Sequence, residues 1–191
     1  MKLKCINCNK TYKQSKEIFK CKCGGALIID DYQPIFDPEK IDKEEWSIFR
    51  YKHALPLENN EWKNISLGEG LTPIRALDFQ NSNILLKIDY MMPTLSFKDR
   101  GAVMVIYNAL KVGAKKVIQD SSGNAGNSIA AYAARAGIES HIYVSSNTSK
   151  KKIEMIKSHG AMLHIIEGTR EDVAKAALKA VENGDGFYAS H

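Results

Sequence analysis

From about residue 84 onward, the apolar positions fall into short runs of β-branched and long aliphatic residues, separated by stretches with helical spacing. Ile84 to Ile88, Lys116 to Gln119, His141 to Val144, Met162 to Ile166 and Gly186 to Tyr188 read as strands, with a helical segment after each of the first four. Gly113, Gly137, Gly160 and Gly184 stand at even intervals. Each falls where a left-handed residue closes a helix, a conformation that glycine adopts without steric cost. Thr169-Arg170-Glu171-Asp172 has the form of a capping box and predicts a helix start. This β-helix-β series predicts an α/β fold, a doubly wound parallel sheet with right-handed crossovers. Its ligand crevice should lie beyond the carboxyl ends of the strands. The glycine beat would also suit a solenoid, but the segments share little else, so the wound sheet is the better reading.

The pattern before this region is different. Residues 1–30 hold all four cysteines, as Cys5-x-x-Cys8 and Cys21-x-Cys23, with Gly24 and Gly25 providing a tight turn after the second pair. Two close pairs across a hairpin-length spacer can bring four thiolates to the corners of a tetrahedron, which suits a structural Zn²⁺. Disulfides are the alternative, disfavoured in a reducing compartment and by the closeness of Cys21 to Cys23. Four thiolates leave no open position, so such a metal would fold this zinc ribbon and would not catalyse. Residues 31–65 read as a connector, interrupted by Pro34, Pro38 and Pro56, with a short helix predicted in the stretch from Glu44 to Leu55. Trp46 and Trp62 are expected to pack the ribbon against the main domain, residues 66–191.

The formal charge of +5 belongs mostly to the ribbon, since residues 1–22 carry Lys2, Lys4, Lys10, Lys13, Lys16, Lys20 and Lys22 against Glu17 alone. With no aromatic interleaving beyond Tyr12 and Phe19, this segment reads as a solvated face rather than a nucleic-acid surface. No apolar run reaches the roughly 18 residues of a membrane span, and the N-terminus lacks the apolar core of a secretory signal; a cytoplasmic location is expected. His53, His141, His159 and His164 have no metal-ligand spacing relative to the cysteines and read as packing or surface residues.

Two loops carry candidate chemistry. The first runs from Pro93 to Gly101 (PTLSFKDRG) into a helical segment and puts Lys98 beside a helix start. The partial positive charge there disfavours a cation, so an amine in such a place is favoured in its neutral, nucleophilic form. The second, Ser121 to Ser128 (SSGNAGNS), follows a strand and opens another helix. Its small residues let backbone come close to a ligand, and free amides at the helix start can bind a carboxylate or phosphate. Taken alone, a lysine at a helix start is most often surface decoration, and the second loop is equally well read as a serine-rich helix cap.

Together, S-F-K-D-R-G and S-S-G-N-A-G resemble the lysine motif and asparagine loop of the fold-type II pyridoxal-phosphate (PLP) enzymes. Leu67 to Pro73 (LGEGLTP) is similar to the G-x-T-P segment of that family, and an N-terminal zinc ribbon occurs in some of its threonine-synthase-like members. The resemblance runs from Cys5 to the end of the chain. It implies that Lys98 holds PLP covalently and then acts as base at the substrate α-carbon. Asn124 would bond the cofactor's 3′ oxygen, Phe97 would pack beside its ring, and Ser122, Gly123, Asn124 and Ala125 would hold the carboxylate of a small amino-acid substrate. Asp99 and Arg100 are expected to form a structural pair.

Threonine synthases usually read N-P-T-G-S-F-K, whereas this chain has Met92 and Leu95 in place of the asparagine and the glycine. Leu95 is expected to narrow the crevice beside Lys98. The implied activity is conversion of O-phosphohomoserine to threonine and phosphate by β,γ-replacement. The alternatives are a related lyase or synthase, such as a cysteate synthase, or a catalytically silent fragment or ribbon binding module. The family's phosphate-binding glycine loop and its pyridine-nitrogen partner lie in a later half with no counterpart here, so this chain alone is expected to be inactive. An oligomer is compatible with a full-length enzyme.

Overall fold

The computed structural model describes residues 1–30, 32–80 and 82–190; Asp31, Asn81 and His191, the last residue of the 184–191 segment, lie outside the described residues. At the N-terminus β1 (Lys2–Cys5) pairs antiparallel with both β2 (Thr11–Lys13) and β3 (Leu27–Ile29). A connector with a 3-10 turn at Ile48–Ala54 leads to α1 (Trp62–Ile65). A hairpin follows, β4 (Ile74–Phe79) antiparallel to β5 (Ser82–Lys87). The remainder alternates as α2 (Asp99–Lys111), β6 (Lys116–Gln119), α3 (Asn124–Ala136), β7 (Glu139–Ser145), α4 (Lys150–Ser158), β8 (Met162–Ile166), α5 (Arg170–Glu182) and β9 (Phe187–Tyr188).

The sheet of this last part is wholly parallel, in the order β8-β7-β6-β9. Its central strands are buried on both faces, as their apolar runs require. One face carries the larger core, in which Val103, Ile106 and Tyr107 of α2, Ile129 and Tyr132 of α3 and Ile156 of α4 meet Val117, Ile142 and Val144. Each such aliphatic side chain contributes about 1.5–3 kcal/mol by leaving water. The other face packs Ile118 against Ala177, Ala180 and Val181 of α5. Helices therefore cover both faces, as in a doubly wound fold. Gly113, Gly137, Gly160 and Gly184 all have positive φ at helix ends, and Thr169 and Asp172 form the capping box.

Three expectations are corrected. The first expected strand, Ile84 to Ile88, is absent from the parallel sheet; it lies in the separate β4–β5 hairpin, whose partner β4 the sequence pattern did not show. The helix expected between Glu44 and Leu55 is reduced to 3-10 turns broken at Tyr51, where φ is −100° and ψ 24°. Trp46 is 75% exposed, and Trp62 stacks on Phe49 (4.3 Å) inside the main core, so neither clamps the ribbon. The ribbon docks instead through Phe19 against Tyr188 (5.3 Å, edge to face) and Gln14 donating to Asn108 (3.1 Å). Among the described residues no helix is long and apolar enough to cross a membrane.

Candidate active site and metal centre

Strand order reverses between β6 and β9: the chain moves outward from β6 through β7 to β8, then returns through α5 to the opposite side of β6. A ligand crevice is expected at the carboxyl ends of the strands flanking such a reversal. A cavity of about 240 Å³ lies there, lined by Lys98, Gln119, Ser121, Asn124, Ala125, Arg170 and Ser190. Gln119 ends β6 and donates to the Ala189 carbonyl (2.8 Å), which fixes the segment after β9 against the segment after β6.

Lys98 reaches this cavity although its loop follows the hairpin and not a strand of the sheet. The cause is Asp99, fully buried beside it. Its carboxylate accepts from the Thr94 amide (2.7 Å), the Thr94 hydroxyl and the Ser128 hydroxyl of α3. Asn127 of α3 donates to the Thr94 carbonyl (3.4 Å), and His159 holds the other end of the same amide (3.0 Å). Burial keeps the His159 pKa below the usual imidazole value, which suits a neutral ring in this contact. The lysine loop is thus fastened to the helix that carries Asn124. Arg100 pairs with Asp89 (3.0 Å) and not with Asp99, which corrects the expected pair. Asp89 also accepts from Thr72 (2.6 Å), tying the G-x-T-P segment to the start of α2.

The asparagine loop is shaped by its small residues. A Cβ on Gly126 would overlap the Ser121 carbonyl, so the loop closes only with glycine there. Gly123 caps α3 in extended backbone with no side chain over the first turn, leaving the first-turn amides available. Asn124 and Ala125 line the cavity with Lys98; Ser122 faces a neighbouring cavity, and Gly123 and Phe97 line neither. Phe97 is exposed, with the Lys98 amine 5.3 Å from its ring centre. Leu95 is also exposed and absent from the lining, so it does not narrow the crevice; it adopts the left-handed conformation (φ 62°) of the turn. Gln119, Arg170 and Ser190 were not foreseen as lining residues. Their signal is position alone, at strand and helix ends beside the reversal.

Glu69 is a buried carboxylate that sequence reading also missed. It accepts from Tyr132 (2.8 Å), Ser66 (3.1 Å) and the Leu67 amide (2.9 Å), and burial raises its pKa.

In the ribbon, the sulfurs of Cys5, Cys8, Cys21 and Cys23 lie within 4.8 Å of one another, and none is in a disulfide. The separations of 3.4 Å for Cys21–Cys23 and 3.6 Å for Cys5–Cys23 approach the roughly 3.8 Å set by tetrahedral Zn–S bonds of about 2.3 Å. The Tyr12 hydroxyl, 3.0 Å from Cys21, pulls that thiol down to about 6. Cys23 is pushed up to about 12: the Gly25 amide lowers it, but the neighbouring sulfurs outweigh that effect. A second negative charge is thus opposed unless a cation joins the cluster, and this donor set fits zinc.

A parallel sheet with a lysine and an asparagine loop at its reversal point defines a class of cofactor-dependent α/β enzymes. The family described as pyridoxal-phosphate dependent enzyme matches residues 65–191, and the chain belongs to it. Threonine synthase of Methanocaldococcus jannaschii is 35% identical over 88% of this chain and 44% of its own length; that of Methanosarcina acetivorans is 35% identical over 97% and 47%. The chain therefore spans less than half the length of these relatives. Among solved structures it resembles an O-ureido-L-serine synthase (TM-score 0.58, 25% identity, 70% of this chain and 44% of that one). A similar match is the cysteine synthase of Entamoeba histolytica (TM-score 0.58, 26% identity, 70% and 43%).

Proposed function

We propose that this chain supplies the lysine-bearing half of a PLP-dependent enzyme acting on a small amino acid, with conversion of O-phosphohomoserine to threonine and phosphate as its reaction. The observation that carries this reading is the meeting of Lys98 with Asn124 in one cavity at the sheet reversal. An amine for covalent attachment, an amide for the ring oxygen and small residues at a helix start fit PLP at its ring and substrate sides. When bound, PLP supplies an electron sink that acidifies the substrate α-carbon. Lys98 accepts the proton from that carbon and returns it. The first-turn amides of α3, at Asn124 and Ala125, hold the substrate carboxylate on the positive end of the helix. Ser122 joins them only if the loop turns toward Lys98.

We place the remaining pocket wall, including the cofactor's phosphate cradle, in polypeptide corresponding to the rest of the relatives' length. The short span of the match and the bare β4–β5 hairpin support this. The reduced cysteine cluster supports a cytoplasmic setting.

The test is to incubate the chain with PLP, reduce with borohydride and map the labelled lysine by mass spectrometry, with Lys98→Ala alongside. Stoichiometric labelling at Lys98, lost in the variant, is expected. Diffuse labelling, unchanged in Lys98→Ala, would remove the claim of a cofactor site within this half. Threonine release from O-phosphohomoserine, measured once the missing wall is supplied, then tests the substrate.

A further inference from the structure

We propose that the cysteine ribbon is a metal-dependent brace for the Lys98 cavity: zinc held at Cys21 fixes Phe19, Phe19 holds Tyr188, and the residues after Tyr188 close one side of the cavity. The brace itself stands on contacts between the ribbon and the sheet; its bearing on PLP rests on the cofactor reading of that cavity.

The brace begins in a segment with little to hold its own shape. Gln14 to Lys20, between the two cysteine pairs, forms neither helix nor strand. Cys5 and Cys21 are the only buried apolar residues of the ribbon among those described, so its shape depends on four sulfurs converging on a cation. Phe19 stands two positions before Cys21. A metal that fixes the Cys21 sulfur therefore fixes the backbone that aims the Phe19 ring.

That ring leaves the ribbon and enters the smaller core of the sheet. It meets Tyr188 edge to face with centroids 5.3 Å apart, a separation at which aromatic pairs attract. The buried members of this core among the described residues are Ile118, Ala177, Ala180 and Val181, and two of these are alanines. The rings of Phe19, Tyr143 and Tyr188 therefore carry much of the apolar contact on this face. Lys20 extends the contact to Glu182 of α5 (3.6 Å), and Lys16 shares a cavity of about 250 Å³ with Gly184, Asp185, Gly186 and Phe187. The ribbon thus lies over the end of α5, the turn that follows it and β9.

Strand β9 is the element in need of support. It has two residues, and its register with β6 covers Val117 with Phe187 and Ile118 with Tyr188. Beyond it the Ala189 amide donates to the Ile118 carbonyl (2.8 Å), the Ala189 carbonyl accepts from Gln119 (2.8 Å), and Ser190 lines the Lys98 cavity beside Gln119. Arg170, the first residue of α5, lines it too. Loss of the Phe19 contact frees Tyr188, and Ala189 and Ser190 are the next residues along the chain. A local opening of this kind breaks the few contacts of one short segment and leaves the larger core on the opposite face intact.

The experiment compares amide exchange in the zinc-loaded full chain, in the same chain after zinc removal by a chelator, and in zinc-loaded Phe19→Ala, with bound zinc measured in each. Phe19→Ala keeps all four cysteines, so it is expected to retain zinc while losing the ring. The Ala189 amide should exchange at least about tenfold faster in both altered forms than in the zinc-loaded parent, while Ile142 and Val144 of β7 keep their protection. Unchanged exchange at Ala189 in either altered form would overturn the brace. So would an equal acceleration in β7, or loss of zinc from Phe19→Ala, which would assign the ring to the ribbon alone. A second arm measures PLP attachment at Lys98, trapped with borohydride, and is expected to give at least about threefold less labelling in the two altered forms. Equal labelling in all three forms would overturn the claim that the brace shapes the cavity. No labelling in the zinc-loaded parent would overturn the cofactor reading instead, and exchange at Ala189 then decides the brace by itself.

Discussion

Leu95 and Glu69 show how single residues bear on the stability of the fold. Leu95 is held at φ 62°, a region that costs a non-glycine residue about 1–2 kcal/mol, and its exposed side chain gives little in return. Glycine there recovers that strain and loses about 0.5–1 kcal/mol to greater freedom of the unfolded chain. Leu95→Gly is therefore expected to stabilise by roughly 0.5–1 kcal/mol, seen as a rise of about 1–4 °C in Tm by circular dichroism. A lower Tm would show that Leu95 makes a contact that matters more than its backbone strain. Glu69 behaves in the opposite way to a salt-bridged carboxylate. Its folded pKa is raised by burial, so its favourable contribution is fully present below the ordinary glutamate value and is lost as pH rises through the folded value. Glu69→Gln keeps acceptors for Tyr132 and Leu67 but cannot ionise. Urea unfolding at a series of pH values should give a flatter upper limb for the variant; identical curves would mean that Glu69 is not ionised by neutral pH.

At the scale of elements, the ribbon depends most on a ligand. Cys5 and Cys21 are its only fully buried apolar residues among those described, far too little core for thirty residues to fold alone. Zinc removal by a chelator, or Cys8→Ser, is expected to strip amide-exchange protection from β1, β2 and β3 while α2 and α3 stay protected by the main core. Protection lost equally throughout would mean that the ribbon and the sheet fold as one unit. What was legible in the sequence follows the same division. The helix ends were legible because a left-handed closing residue is a local requirement that glycine announces, and the parallel strands because burial on both faces writes an unbroken apolar run. Strand β4 was not, since Ile74-Arg75-Ala76-Leu77-Asp78-Phe79 neither alternates strictly nor runs apolar, and its pairing depends on a partner strand beyond the turn. The lysine and asparagine loops were recognisable as motifs. The Asp99 bonds that join them were not, because Thr94, Asp99 and Ser128 meet only after two helices have packed.

At the scale of the whole molecule, the hairpin carries a conspicuous apolar surface. In the β4–β5 register, Leu77 faces Ile84 and Arg75 faces Leu86, and Phe79 lies beyond them on the same side. Leu77, Phe79, Ile84 and Leu86 thus form a stripe, and all are exposed. A two-stranded hairpin is marginal in water, and a contiguous apolar face of this kind marks a surface that other polypeptide covers. Through Thr72, Asp89 and Arg100 its base is tied to the helix start that bears Lys98, so whatever covers it also bears on the cavity. With no covering segment, the stripe should drive copies of the chain together. Sedimentation velocity over a range of concentrations is expected to show association of the unmodified chain. The double variant Leu77→Glu/Ile84→Lys replaces a directly opposed apolar pair by opposite charges that still favour strand pairing, and it should remain monomeric. If the variant associates as strongly as the parent, the contact lies elsewhere and the hairpin stripe is not the surface that brings copies together.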